Sequence, residues 1–125
     1  MRTAILGDIH GNVHVHEKAM RRYEYTLQLG DCGFSYRYMH TRDANKHKIL
    51  GGNHDCYHEL VKLPHYLGDC GTWRGLFYVR GAYSIDKPQR IVGRDWWPEE
   101  ELTYEEAQRA LEAYEIVKPR IVVTH

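Results

Sequence analysis

Carboxylate, imidazole and amide side chains recur where short apolar runs of the chain come to an end. The runs TAIL, YTLQL, KIL and RIVVT are followed by the five potential ligands Asp8, His10, Asp31, Asn53 and His125. Carboxylate and amide oxygens combined with imidazole nitrogens suit Mn²⁺, Fe²⁺/³⁺ or Zn²⁺ better than Ca²⁺ or Mg²⁺. The residue types therefore predict a transition-metal site, provided that the fold brings them together.

Such a ligand set favours hydrolytic chemistry on two cations. A bridging aspartate is the usual way to hold two ions about 3.5–4 Å apart, which suits phosphoryl displacement. Glycines beside the ligands, among them Gly30 and Gly52, let backbone and substrate approach closely. His54, directly after Asn53, could face a leaving group as a general acid.

The elements that must position these residues are those of an α/β domain. The apolar runs have few alternating polar positions, which predicts strands buried on both faces of a mostly parallel sheet. VHVHEKAMRR is typical of a crossover helix, and LTYEEAQRALEAYEIVKP of a helix capped by Thr103 and Glu106, with an apolar stripe that includes Leu111 and Tyr114. Ligands gather beyond the carboxyl ends of such strands, so we expect the five candidates at one edge of the sheet.

The middle of the chain gives weaker signals. HDCYHELVK predicts a helix of about two turns that Pro64 stops, and LFYVRGAYSI a strand. DKPQRIVGRDWWPEE is typical of a long excursion over the surface. His14 and His16 are expected at solvated positions of the first helix.

Bulk properties narrow the class of protein. A length of 125 residues predicts one domain, 1–125, and 17 basic against 17 acidic residues indicate neither nucleic acid nor membrane as a partner. The N-terminal apolar run is too short for a secretory signal, and three cysteines without a CxxC pair suit reduced thiols. We therefore expect a cytoplasmic protein.

The motifs GDIHGN, GD at Gly30-Asp31, GGNHD and VVTH resemble those of the calcineurin-like metallophosphoesterases, in the same order and at strand ends. The resemblance implies a layered β-sheet core flanked by helices and hydrolysis of phosphomonoesters or phosphodiesters. It implies that Asp8 and His10 bind one metal, that Asn53 and His125 bind a second, and that Asp31 bridges them. His54 would protonate the leaving group, Asp55 would orient His54, and a hydroxide bridging the metals would attack. Mn²⁺ is the expected metal, with Fe, Zn or Ni as alternatives.

The chain departs from that family pattern in two places. GDCGFS replaces the Asp-Arg-Gly that the protein-phosphatase branch has after Gly-Asp, so that poorly characterised bacterial and phage members are the nearer resemblance. The family's later G-H-x-H motif is absent, which suggests a domain incomplete in its C-terminal half. Such a chain would be a fragment, a natural short form, or one completed by a second chain or by self-association.

Two other functions remain open from the sequence. A non-catalytic relative could act by binding a protein partner. HDCYH also approaches the H-E-x-x-H of zinc peptidases, with His54 and His58 as ligands, although Asp55 would be a shorter base than glutamate. Cys32 and Cys56 are expected to be buried, inert thiols, and Arg37, Arg42 and Arg80 are candidates for contact with a substrate phosphate. Trp96-Trp97 is expected to plug the edge of the core.

Overall fold

The computed structural model describes residues 2–125 as a mixed α/β fold with two three-stranded sheets. The strands are β1 (Thr3–Leu6), β2 (Tyr25–Gln28), β3 (His47–Ile49), β4 (Cys70–Trp73), β5 (Leu76–Val79) and β6 (Val122–Thr124). The helices are α1 (Val13–Arg22), α2 (Tyr57–Leu60) and α3 (Tyr104–Val117). Short 3₁₀ turns occupy Arg37–Thr41, Lys87–Gln89 and Pro98–Glu100. The α/β class predicted from the apolar runs is confirmed at this level.

The first sheet is parallel, in the order β1-β2-β3. Helix α1 makes the crossover from β1 to β2 and coincides with the predicted VHVHEKAMRR segment. Strand β2 lies in the centre, and its Thr26, Leu27 and Gln28 are buried. Because all three strands run the same way, their carboxyl ends lie at one edge, as the sequence predicted.

The second sheet joins an antiparallel hairpin, β4–β5, to the parallel strand β6. The hairpin turns at Arg74 and Gly75, both at positive φ, as a two-residue turn that matches the twist of the strands requires. Strand β4 was not predicted, because CGTW has neither alternation nor a continuous apolar run. Leu27 of β2 and Leu50 pack with Leu76 and Val123 of the second sheet, so one apolar cluster joins both sheets.

Helix α3 begins with the predicted capping box. The Glu106 N–H donates to Thr103 Oγ1 at 3.2 Å, and the Thr103 N–H donates to Glu106 Oε2 at 2.8 Å. The helix ends at Val117, and Lys118 follows in the left-handed conformation, before Pro119. Of the stripe expected on this helix, Ala110 is buried, whereas Leu111 is 56% exposed.

Four sequence-based expectations differ from the structure in whole or in part. The helix expected over HDCYHELVK is a single turn at Tyr57–Leu60, because the preceding residues form the loop after β3. The strands are not all buried on both faces, since Ile5 of β1 is 48% exposed and Val122 of β6 is 44% exposed. The 86–100 segment runs mostly over the surface, as expected, but its Trp97 and Glu100 are buried. His16 is buried, with its Nδ1 at 2.8 Å from Tyr38 Oη, rather than solvated. In the part of the chain that the structure describes, every helix is too short or too polar to cross a lipid bilayer.

Candidate metal centre

The loops that follow β1 and β2 run side by side and place the first candidate ligands. The Asp8 N–H donates to Gly30 O at 3.3 Å and the His10 N–H to Asp31 O at 2.8 Å, which extends the parallel pairing beyond the strands. Asp8, His10 and Asp31 consequently offer ligand atoms that all lie within 4.8 Å of one another. We call these three residues the first ligand group.

A second set of ligand atoms converges on His125, the residue after β6. Its Nε2 lies 2.7 Å from Asn53 Oδ1 and 3.1 Å from Asp31 Oδ1. Its other ring nitrogen, Nδ1, lies 2.9 Å from Leu29 O, which fixes the ring with Nε2 facing the ligands. Asp31, Asn53 and His125 form the second ligand group.

Asp31 belongs to both groups, and each of its carboxylate oxygens faces a different one. Oδ1 lies toward His125, while Oδ2 lies 3.5 Å from His10 Nε2. A carboxylate with one oxygen toward each of two ligand sets is the arrangement that holds two cations side by side. The donor set of carboxylates, imidazoles and one amide fits divalent transition metals. The structure thus brings together all five candidate ligands.

The backbone at the first ligand group is strained. Asp8, His10 and Asp31 have φ values of 47°, 43° and 54°, in the left-handed region that residues with a side chain rarely adopt. Such residues cluster at ligand-binding and catalytic positions, where the surrounding structure holds them in place. The strain is a second feature, independent of the ligand distances, that marks these loops as a site.

Two glycines allow the loops to pack closely enough to form the site. A Cβ on Gly52 would lie 2.5 Å from Asp31 Oδ1 and 2.9 Å from His125 Cε1. A Cβ on Gly30 would lie 2.7 Å from the Gly52 Cα, and Gly30 has a φ of 98°. Any side chain at either position would therefore push ligand residues apart.

Buried polar side chains below the ligands hold the loops. The Asp55 carboxylate accepts from the backbone N–H groups of Asp31 at 2.9 Å, Cys32 at 3.1 Å and Gly52 at 2.8 Å, and from Tyr36 Oη at 2.8 Å. On the neighbouring loop, the buried Gln28 amide binds both the N–H and the carbonyl of Gly30. Asp55 accordingly fixes the backbone that carries Asp31 and Gly52. Its carboxylate oxygens make no hydrogen bond with the side chain of His54, which the resemblance implied that Asp55 would orient.

His54 has different carboxylate neighbours from the one that the resemblance implies. Its N–H donates to Asp31 Oδ1 at 2.8 Å, and its Nδ1 lies 3.1 Å from Asp31 Oδ2. Its Nε2 lies 3.5 Å from Asp86 Oδ2. The ring is 30% exposed and stands beside His10, with a centroid distance of 5.5 Å. His54 therefore lies at the rim of the ligand groups, held by Asp31 and Asp86.

The electrostatics of the second ligand group suit an exchange of a proton for a cation. Burial opposes ionisation of Asp31, but hydrogen bonds and charge from His125 and His54 outweigh burial and lower its pKa to about 2. The hydrogen bond with Asp31 raises the pKa of His125 to about 9, despite desolvation. A cation bound by Asp31 and His125 would replace the imidazolium proton, because a metal ligand must be deprotonated.

Other candidate residues lie outside the centre. The Cys32 thiol is buried, which raises its pKa to about 12, and its Sγ lies 3.0 Å from Tyr38 Oη. Arg80 is buried and pairs with Asp69 and Glu106, so it serves packing rather than phosphate contact. Arg42 pairs with Glu17, while Arg37 is exposed and lines a cavity of about 400 Å³ with Phe34. Of the two tryptophans expected to cover the edge of the core, Trp97 is buried and contacts Phe34, whereas Trp96 is half-buried and lies beside Lys87.

The zinc-peptidase arrangement lacks the geometry that it needs. His54 precedes α2 instead of lying on it, and the His58 ring is 71% exposed, with Lys62 Nζ and Glu59 as neighbours. In residues 2–125, the one group of three or more histidines, cysteines, aspartates or glutamates suited to hold a metal is Asp8, His10 and Asp31.

Comparison with protein-family models, with curated proteins and with solved structures returned no match.

Proposed function

We propose that the protein is a metal-dependent phosphoesterase with a dinuclear centre. One observation carries the proposal, namely that the two oxygens of Asp31 face two different ligand groups, at 3.5 Å from His10 Nε2 and 3.1 Å from His125 Nε2. Two adjacent cations that share a carboxylate suit in-line displacement at a phosphorus atom. The four motifs, read as those of a metallophosphoesterase, support the same function.

Each side chain then has a distinct role. Asp8 and His10 would hold the first cation and Asn53 and His125 the second, with Asp31 contacting both. When bound, the two cations lower the pKa of a water molecule and polarise a phosphoryl oxygen. His54, partly exposed at the rim, would give a proton to the leaving alkoxide, with Asp86 positioned to hold its ring.

The ligand set favours Mn²⁺, with Fe, Zn or Ni as alternatives, since imidazole and carboxylate ligands suit all four. Phosphomonoesters and phosphodiesters are both candidate substrates. Three free cysteines, two of them buried, fit a reducing compartment, and we propose the cytoplasm as the location.

Hydrolysis of p-nitrophenyl phosphate and bis-p-nitrophenyl phosphate tests the function directly. The purified chain is stripped with a chelator and titrated with Mn²⁺, and the variant Asp31→Asn is measured alongside. We expect saturable turnover that Asp31→Asn reduces at least about 100-fold, because one neutral amide oxygen cannot replace a carboxylate between two cations. Asp43→Asn, which changes an exposed aspartate outside the ligand groups, is the matched control. Folded protein without Mn²⁺-dependent turnover on either ester would refute catalysis by this chain.

A separate observation favours a second function, which is the binding of a protein partner or of a second copy. Leu111 and Tyr114 of α3 and Val122 of β6 are 56%, 45% and 44% exposed and line one apolar groove. Light scattering across a range of protein concentrations distinguishes the two functions. Mass that rises with concentration and falls in the variant Leu111→Lys would indicate association, and a constant monomer mass would contradict it.

A further inference from the structure

The side-chain amide of Asn53 is held from both ends. Its Oδ1 lies 2.7 Å from His125 Nε2, and its Nδ2 donates to Ser84 Oγ at 3.0 Å. If the Asn53 amide were flipped by 180°, its Nδ2, which cannot bind a cation, would face the second ligand group in place of Oδ1. The contact with Ser84 therefore selects the orientation in which the oxygen is available as a ligand.

Ser84 is itself fixed by a buried ion pair. Its hydroxyl donates to Glu100 Oε2 at 2.7 Å and accepts from Arg90 Nη1 at 2.6 Å. Arg90 Nη2 donates to Glu100 Oε1, also at 2.7 Å, and Arg90 Nη1 donates to Asn53 O at 3.0 Å. Ser84 is 1% exposed and Glu100 is fully buried. Because the Ser84 hydroxyl donates its hydrogen bond to Glu100, its oxygen is left to accept a hydrogen bond from Asn53 Nδ2.

The backbone ties this network to the ligand loop. The Gly81 N–H donates to Gly51 O at 2.8 Å, and the Ala82 N–H donates to Glu100 O at 2.9 Å. A buried ion pair adds little net stability over apolar residues of the same volume, because desolvation offsets the attraction. If the ion pair orients a metal ligand, the burial of Arg90 and Glu100 is explained by that role rather than by stability.

We infer that Ser84, Arg90 and Glu100 form a positioning network that keeps Asn53 Oδ1 directed at the second cation. The inference rests on the proposed function, since it concerns the same centre. It predicts an effect mainly on one of the two cations, because Asp8 and His10, which belong to the first ligand group alone, form no hydrogen bond or ion pair with Asn53, Ser84, Arg90 or Glu100. Partners that orient a metal ligand typically change affinity about 10–100-fold when they are removed.

Isothermal titration of the chelator-treated protein with Mn²⁺ tests the network. Asp8→Asn and His125→Gln assign the two dissociation constants to the first and second ligand groups. We expect Ser84→Ala to raise the dissociation constant of the second site about 10-fold and to leave that of the first site within about twofold. The Mn²⁺ concentration that gives half-maximal hydrolysis should rise by a similar factor of about 10. Thr26→Ala, which removes another buried hydroxyl that bonds His47 in the first sheet, is the matched control and should change neither constant.

The outcomes separate the network from the function. Two sites in the wild type with unchanged constants in Ser84→Ala would overturn the network alone, as would an equal loss at both sites. A wild type that binds fewer than two Mn²⁺ ions would overturn both proposals. If circular dichroism shows that Ser84→Ala is unfolded, Ser84→Cys, which keeps the shape with a weaker acceptor, gives the same comparison.

Discussion

Replacement of Asp55 by asparagine tests whether the site is held from beneath by one carboxylate. All four contacts of Asp55 are with donors, from Asp31, Cys32, Gly52 and Tyr36 at 2.8–3.1 Å. In Asp55→Asn one oxygen becomes an NH₂ group, which faces two of these donors instead of accepting from them. The Tyr36 hydroxyl already accepts from the Cys56 N–H at 3.0 Å, so it is poorly placed to reverse its role.

The magnitude follows from the two hydrogen bonds that are lost. A hydrogen bond to a charged group contributes about 1.5–3 kcal/mol when its partner is buried, so Asp55→Asn should lower the free energy of unfolding by about 3–6 kcal/mol. That is a large share of the roughly 5–15 kcal/mol that holds a domain together. The variant should also bind Mn²⁺ more weakly, because three of the four donors, the N–H groups of Asp31, Cys32 and Gly52, lie in the loops that carry the ligands.

Urea unfolding followed by tryptophan fluorescence measures the loss, and the slope of the transition shows whether the unfolded state has changed. Asp43→Asn, at an exposed position where the carboxylate accepts one bond from the Asn45 N–H, is the control and should stay within about 0.5 kcal/mol. A loss below about 1 kcal/mol in Asp55→Asn with an unchanged slope would refute the argument that this carboxylate organises the site.

Two further predictions use different parts of the fold. Gly52→Ala should weaken Mn²⁺ binding at least about 10-fold, because the added carbon would lie 2.5 Å from Asp31 Oδ1. In the control Gly7→Ala the added carbon meets no atom within 4 Å, and the Mn²⁺ dissociation constants should stay within about twofold of the wild type in the same titration. Burial lowers the pKa of His16 from 6.5 to about 4, so the folded protein resists protonation of this side chain more than the unfolded chain does. The free energy of unfolding should therefore be unaffected by His16 above pH 6.5 and should decrease as the pH falls from 6.5 toward 4. The difference in unfolding free energy between the wild type and His16→Gln should therefore shift by up to about 3 kcal/mol across that range, and a difference that does not vary with pH would contradict it.

The sequence predicted the elements whose signals are local. Helix α1 follows from its place as a crossover between two apolar runs, the start of α3 from its capping box, and the edge of the first sheet from apolar runs that end in polar residues. The same runs predicted the candidate ligands after β1, β2 and β3, because the parallel strands of one sheet bring their carboxyl ends to one edge. His125 was expected at the edge of the same sheet, but it follows β6 of the second sheet and reaches the other ligands through a tertiary contact with Leu29.

The supports of the site could not be predicted in this way. Ser84, Arg90 and Glu100 lie in a segment rich in glycine and aromatic residues, where polar side chains are usually solvated. Their burial arises only because the segment folds back onto Gly51, which is a tertiary contact without a local pattern. Gln28 gave the one available signal, a polar residue at the end of a buried strand, which demands a hydrogen-bond partner.

The backbone of the ligand loops links stability to function. Arg74 and Lys118 adopt positive φ in a hairpin turn and at the end of α3, where chain reversal or helix termination calls for that conformation. Asp8, His10 and Asp31 occupy the same region in loops after strands, where each left-handed residue costs about 1–3 kcal/mol. A cation at 100 times its dissociation constant contributes about 2.7 kcal/mol per site, which is the same order. The strain in these three residues is thus of a size that bound cations would offset, and it holds the side chains where the proposed two-cation centre would use them.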